Sequence, residues 1–259
     1  MATTDHHDIT GTAGAAALNR AFQRATETTS ECPLFTDPYA PMFVDAAIQR
    51  GWRPPSGELA ERLRALSDYT AARTKYCDEF LIAAGAVAIT QAVLVGSGLD
   101  ARAWRLPWLA DSVVFDIDCP EILEFKRATL TACRAQPAAR YVGVPIDPQS
   151  DWSAGLRGAG FDPSLPTAWC TEELLARLPP DALGSLLDRI RSLSAPSSRV
   201  AVEALPDQRA GLVDRLRQQG WAVTVTPITE LLVRYRRVAR EGVDHASAPS
   251  VLVEGRLRG

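Results

Sequence analysis

The sequence predicts an α/β fold, doubly wound about a mostly parallel sheet. Three observations carry the prediction. Seven short apolar runs recur along the chain, most of them separated by amphipathic helical segments. The first run, Ala92–Val95, breaks directly into the turn Gly96-Ser97-Gly98. The second, Ser112–Ile117, leads into Asp116-Ile117-Asp118, which places carboxylates about 20 residues beyond the glycines. Glycines permit a tight turn and close backbone approach, and a downstream acid accepts from ribose hydroxyls. The pattern therefore suits a nucleotide-type ligand held where neighbouring parallel strands end.

Taken in order, the first fifty or so residues read as alanine-rich helix, broken at Pro33, Pro38 and Pro41. A longer helix is expected from Glu58 to about Ala84. Its Leu59, Leu63, Leu66, Thr70, Arg73, Cys77 and Phe80–Leu81 share one face. Arg73 interrupts that apolar stripe, and a buried arginine needs an anionic partner. Further strands are expected at Tyr141–Val144, Thr167–Thr171, Arg199–Glu203, Trp221–Thr226 and Ser250–Glu254. The helices between strands include Pro120–Cys133, Asp181–Ser194 and Asp207–Gln219. The second of these carries the core stripe Leu183, Leu186–Leu187, Ile190 and Leu193. The third starts at an Asp207 cap and stops before Gly220. Without an internal repeat or a linker, residues 1–85 read as a helical extension or cap and 86–259 as the ligand-binding domain, together one compact domain.

Composition narrows the function. A content of 46% hydrophobic and 23% charged residues supports one large core, and a net charge of −3 argues against a nucleic-acid binder. Lysine appears only at Lys75 and Lys126; the arginine excess reads as genomic bias, with anion recognition the alternative. The five cysteines show no CxxC pair and no zinc spacing, which predicts reduced thiols, a cytoplasmic setting and no metal. No secretory signal is read at the start, and no apolar run approaches the roughly 20 residues that cross a bilayer. His6 and His7 read as part of a polar tail rather than a metal site, and His245 has no evident partner.

Three strings follow one another in the chain: Val95-Gly96-Ser97-Gly98-Leu99-Asp100-Ala101-Arg102, Phe115-Asp116-Ile117-Asp118-Cys119-Pro120-Glu121 and Trp169-Cys170-Thr171-Glu172-Glu173-Leu174-Leu175. With Pro33-Leu34-Phe35-Thr36-Asp37-Pro38-Tyr39-Ala40 and Ala71-Ala72-Arg73-Thr74-Lys75-Tyr76, the chain resembles the S-adenosylmethionine-dependent leucine carboxyl methyltransferase family, in its bacterial branch of O-methyltransferases. The likeness runs to about Glu203, with weaker traces beyond. It implies a seven-stranded Rossmann-like sheet of the class I methyltransferase type, an antiparallel final strand, and S-adenosylmethionine as cofactor. A small-molecule acceptor in secondary metabolism is the implied substrate.

The resemblance and the chemistry of the cofactor together nominate residues. Asp118 would take the ribose diol, leaving Asp116 to cap the helix at Pro120. Asp147 resembles the acidic loop that contacts adenine; the alternative is a turn aspartate before Pro148, which cannot donate an N–H. Gly96 and Gly98 would lie against the methionine portion, and Arg73 would pair with its carboxylate. Glu172 would sit near the amino group or the sulfonium; the alternative is a buried Arg73–Glu172 pair. A carboxylate acceptor needs no base, whereas a hydroxyl benefits from one, and Glu173, Glu203 and Asp100 are the candidates.

Two departures bear on the acceptor. Relatives read Glu-Gly-Leu-Leu-Met-Tyr where this chain has Glu172-Glu173-Leu174-Leu175-Ala176-Arg177. The added charge suits a polar or anionic substrate, or a solvated face. The chain also passes from Val200-Ala201-Val202-Glu203-Ala204-Leu205-Pro206 into a helix almost at once, where relatives insert a helical cap. Cover over the acceptor must then come from the amino-terminal helices or from the second subunit of a homodimer. Phe35, Tyr39, Phe43, Trp52, Tyr69 and Tyr76 either line an apolar acceptor site or pack the added helices. Alternatives to methyl transfer are a cyclisation or isomerisation on the same fold and a catalytically silent cofactor-binding protein. A nicotinamide dehydrogenase is disfavoured because Ala101 stands where that fingerprint has its third glycine.

Overall fold

The computed structural model describes residues 9, 12–179, 182–237 and 250–259. Four helices lead in: α1 (Thr12–Thr28), α2 (Ala40–Gln49), α3 (Gly57–Ala65) and α4 (Ser67–Gly85). Then come β1 (Gln91–Val95), α5 (Arg102–Arg105), β2 (Val113–Asp118), α6 (Pro120–Ala132), β3 (Arg140–Pro145), α7 (Ser153–Gly158) and β4 (Thr167–Thr171). The chain continues through α8 (Ala182–Ser192), β5 (Arg199–Ala204), α9 (Pro206–Gln218), β6 (Trp221–Pro227), α10 (Ile228–Arg234) and β7 (Val251–Leu257).

The seven strands form one sheet in the order β3-β2-β1-β4-β5-β7-β6. The first five strands of the chain are parallel, and β7 runs antiparallel between β5 and β6. Strand order reverses between β1 and β4, so the crevice beyond their carboxyl ends is where such a sheet binds ligand.

β1 and β4 are buried at every residue, which is why their middles, Ala92–Val95 and Ala168–Cys170, are apolar without alternation. Side chains alternate between two cores. Val93 and Val95 point to one, with Trp169, Leu187, Ile190 and Leu216. Ala92 and Leu94 point to the other, with Cys77, Phe80 and Leu81 of α4. A third cluster joins α1 and α2 to α6 through Leu18, Phe43, Trp52 and Phe125.

Two expectations are corrected, and one choice left open is settled. The long helix from Glu58 is broken at Leu66, whose φ of −92° and ψ of 1° close α3. The Ser67 hydroxyl donates to the Arg64 carbonyl at 2.8 Å, a local bond that competes with helix continuation. Asp207 does not cap α9. The helix starts on Pro206 at its first position, and the Gln208 side chain accepts from the Leu205 N–H at 3.1 Å. Of the aromatic set, Phe43 and Trp52 are core, and Phe35 lies under the Arg105 guanidinium at 5.4 Å. Only Tyr69 of that set lines the cleft described below. His6, His7, His245 and Asp181 lie outside the described residues.

Candidate functional site

The turn after β1 places Gly96 at φ 68° and Gly98 at φ 62°, in the left-handed region that glycine enters without strain. Gly96 N–H donates to the Ile117 carbonyl at 2.8 Å. One Asp118 carboxylate oxygen accepts from Gly98 N–H at 2.6 Å and the other from Cys119 N–H at 2.8 Å. Asp118 thus ties the end of β2 to the glycine turn. Burial, with Asp116 nearby, pushes its carboxyl above the ordinary aspartate value.

Asp116 has another task than the expected cap. It pairs with the buried Lys126 ammonium and accepts from Ser97 Oγ at 2.7 Å and Tyr141 OH at 2.8 Å. The N-cap of α6 is Cys119, without a side-chain bond.

The open faces of both glycines meet the protein's own side chains. A β-carbon at Gly96 would stand 3.1 Å from Leu174, 3.3 Å from Arg177 and 3.6 Å from Pro148. One at Gly98 would stand 2.8 Å from Arg20 Nη2 and 3.1 Å from Ala17 Cβ. Pro148 thereby brings the loop after β3 against the turn. Asp147 itself is exposed and folds that loop, accepting from Gln149 N–H at 2.9 Å.

Around Arg73, on α4, three carboxylates gather from the ends of β4 and β5. Its Nη2 lies 2.6 Å from Glu173, its Nη1 3.3 Å from Glu203, and its Nε 3.6 Å from Glu172. Burial alone would lower the Arg73 pKa, yet Glu173, Glu203 and Glu172 raise it well above the ordinary arginine value. Glu203 also accepts from the Glu173 N–H at 2.9 Å. Glu173 holds φ 53°, the conformation of a glycine with a side chain added. Its second oxygen takes Arg20 Nη1 at 2.9 Å. Burial would raise its carboxyl, but Arg73 and Arg20 hold it down at about 2.

The structure brings together Arg73, Glu172, Glu173 and Glu203, and separately Gly96, Gly98 and Asp118; Asp147 stays at the rim. Several participants were not anticipated. Arg20 and Arg24, four apart on α1, both turn inward, and Arg24 donates to the Leu99 carbonyl at 2.6 Å and to Asp37 at 3.2 Å. Arg102 faces Glu172 at 2.5 Å and Asp78 at 2.6 Å and also pairs with Asp100. The one signal in the sequence is an arginine pair at helical spacing, in an alanine-rich segment that lacks the leucine stripe that marks Arg73. Cys77, Cys170 and Glu172 gather within 4.8 Å. A hydrogen bond to Cys170 and burial keep the Cys77 thiol protonated, and Glu172 already faces Arg102.

Beside this network lies a cleft of about 440 Å³ between α1, α3, α4 and the ends of β4 and β5. Arg20, Arg62, Arg73, Arg177, Glu173 and Glu203 supply its charges, and Leu63, Leu66 and Leu205 part of its apolar wall. A much smaller recess, lined by Arg20, Ser97, Asp100, Cys170 and Glu172 among others, adjoins the glycine turn. Arg20 borders both.

The leucine carboxyl methyltransferase family model matches residues 17–191. A protein of Mycobacterium sp. (strain JLS), assigned by inference as an S-adenosyl-L-methionine-dependent methyltransferase, is 46% identical over 238 residues, covering 92% of this chain and 94% of its own. One of Mycobacterium avium (strain 104), with the same assignment, is 36% identical over 306 residues, covering 98% of each. That alignment is longer than this 259-residue chain, so the relative carries segments absent here. Among solved structures, magnesium protoporphyrin IX methyltransferase (ChlM) from Synechocystis PCC 6803, with bound SAM, superposes with a TM-score of 0.55 at 9% identity, covering 92% of this chain and 97% of its own. A protein from Thermobifida fusca, described by inference as a methyltransferase, gives 0.52 at 16% identity and covers 94% of each. These structures share the class I methyltransferase fold with this chain.

Proposed function

The chain belongs to the leucine carboxyl methyltransferase family and is an S-adenosylmethionine-dependent methyltransferase; from that premise we propose that it methylates an oxygen of a small anionic molecule. The cofactor supplies an activated methyl group, so the protein must mainly align the acceptor and exclude water.

The donor set fits the cofactor. In this reading Asp118, at the end of β2, takes the ribose diol, and the loop of Asp147 and Pro148 borders the adenine. Gly96 and Gly98 keep the turn tight, with Leu174 and Arg20 over their faces, and Glu172, on the recess, faces the amino group. Arg73 orders the carboxylates around it. Residues 1–85 serve as the cover of 86–259, because α1, α3 and α4 wall the cleft where the connection after β5 is short.

The observation that carries the acceptor reading is the charge of the cleft. Four guanidiniums face two carboxylates, and a volume of about 440 Å³ suits a small molecule. Glu173, held at about 2, takes no proton near neutral pH. Glu173 therefore acts by placing Arg73 and the acceptor, Glu203 holds Arg73 and the Glu173 N–H, and the acceptor brings an oxygen that is already ionised, a carboxylate or an acidic phenol. No helix among the described residues is long and apolar enough to cross a membrane. The unpaired thiols, Cys32 and Cys133 exposed among them, support a reducing cytoplasm, and a place in secondary metabolism is part of the same proposal.

Incubation with S-adenosylmethionine and matched sets of acidic and neutral acceptors tests this by mass spectrometry. We expect S-adenosylhomocysteine and a methyl ester or ether from acidic acceptors. Transfer to neutral acceptors alone, or product without S-adenosylhomocysteine, would overturn it.

A further inference from the structure

Arg73 and Arg20 share one carboxylate, but their remaining donors differ. Both terminal nitrogens of Arg73 are taken, by Glu173 and Glu203, and its Nε, buried without a hydrogen bond, stands 3.6 Å from Glu172. The terminal positions of Arg73 are thus filled by carboxylates of the protein itself, which leaves none of them for another. Arg20 is 7% exposed, and its Nη1 is bound to Glu173. Its Nη2 is buried without a partner and lies over the open face of Gly98. A buried donor left unmatched is costly, and that cost is recovered when a ligand brings an acceptor.

We infer that Arg20, rather than Arg73, receives the carboxylate of the cofactor's amino-acid end in this chain. The inference rests on the cofactor reading above. Its cause lies at position 173, where Glu173 holds a glycine conformation and its carboxylate fills the space beside Arg73. A glycine there would leave Arg73 Nη2 free for the ligand. Glu173 occupies it and draws Arg20 from α1 to the edge of the recess. The anion-binding role thereby passes from α4 to α1.

Calorimetry on the full chain tests this with two nucleosides, S-adenosylmethionine and 5′-methylthioadenosine, which lacks the amino-acid tail. Arg20→Met should weaken S-adenosylmethionine binding by about tenfold or more, as expected for a lost charge-assisted bond, and leave 5′-methylthioadenosine unchanged. Arg20→Lys, which keeps the charge, should retain most of the affinity, and it serves also if the methionine variant does not fold. In a Glu173→Gly background the Arg20→Met penalty should largely vanish, because Arg73 is released. Equal loss for both nucleosides on Arg20→Met, no loss for either, or a tail-selective loss on Arg73→Met instead would overturn the assignment. Failure of the unaltered chain to bind either nucleoside would overturn the cofactor reading itself.

Discussion

Two knots of charge sit at the same edge of the sheet, and they are built in opposite ways. Around Asp116 the accounts close. Lys126 and Asp116 are fully buried, Ser97 and Tyr141 complete the oxygens, and burial with Asp116 keeps the Tyr141 phenol protonated. Around Arg73 they stay open. Arg20, Arg73 and Arg102 share Glu172, Glu173 and Glu203, a side chain stands at positive φ, and Arg20 Nη2 and Arg73 Nε have no hydrogen-bond acceptor. A closed network fixes one arrangement of β1, β2 and β3, whereas an open one holds groups ready for a ligand.

The contrast breaks most visibly at Lys126. Lys126→Met leaves Asp116 buried and unpaired, and should cost about 3–5 kcal/mol of unfolding free energy in urea titration. A loss below about 1 kcal/mol would mean the knot is not closed. Asp118→Ala addresses the open side. It should weaken S-adenosylmethionine binding tenfold or more, about 1.5–3 kcal/mol for a charge-assisted bond, by calorimetry. An unchanged dissociation constant would show that another acid holds the ribose.

Acid titration sharpens the comparison further. Glu173 and Asp100 titrate at about 2 in the folded chain, against ordinary values of 4.5 and 3.8. For Asp100 burial acts upward, and Arg102 and Arg105 more than offset it. A depressed carboxyl stabilises fully above its unfolded value and ceases to do so as pH falls through its folded one. Unfolding free energy should therefore decline from pH 4.5 to about 2, and a flat profile there would remove the ion pairs from the stability of the fold. The smallest effect is a control on the surface. Arg215→Ala loses an exposed pair with Asp188 at 2.7 Å and should change stability by less than about 1 kcal/mol.

Much of this was legible in the chain. Ala92–Val95 read correctly because a strand buried on both faces is apolar throughout, Thr167–Thr171 because β-branched and apolar residues fill it, and Gly96 and Gly98 because the turn demands positive φ. Breaks that depend on one local bond were not legible, as at Leu66, where a serine hydroxyl decides. The short helices α5, α7 and α10 carry too few turns for a period to register. Arg73 stood out against leucines, while Arg20 was hidden among alanines, which mark no face as buried. That Arg73 meets Glu172, Glu173 and Glu203 together follows from the ends of β4 and β5 lying side by side, a fact of the sheet rather than of spacing.

The place of β7 carries a consequence for how the molecule is made. It is inserted between β5 and β6 and supplies the pairing of Trp221–Pro227. Until residues 251–257 leave the ribosome, Trp221–Pro227 lacks its ladder and Arg199–Ala204 is an open border with Glu203 at its end. The nascent chain therefore cannot finish its pocket stepwise from the front, and removal of this last segment should leave an aggregating species rather than a smaller enzyme.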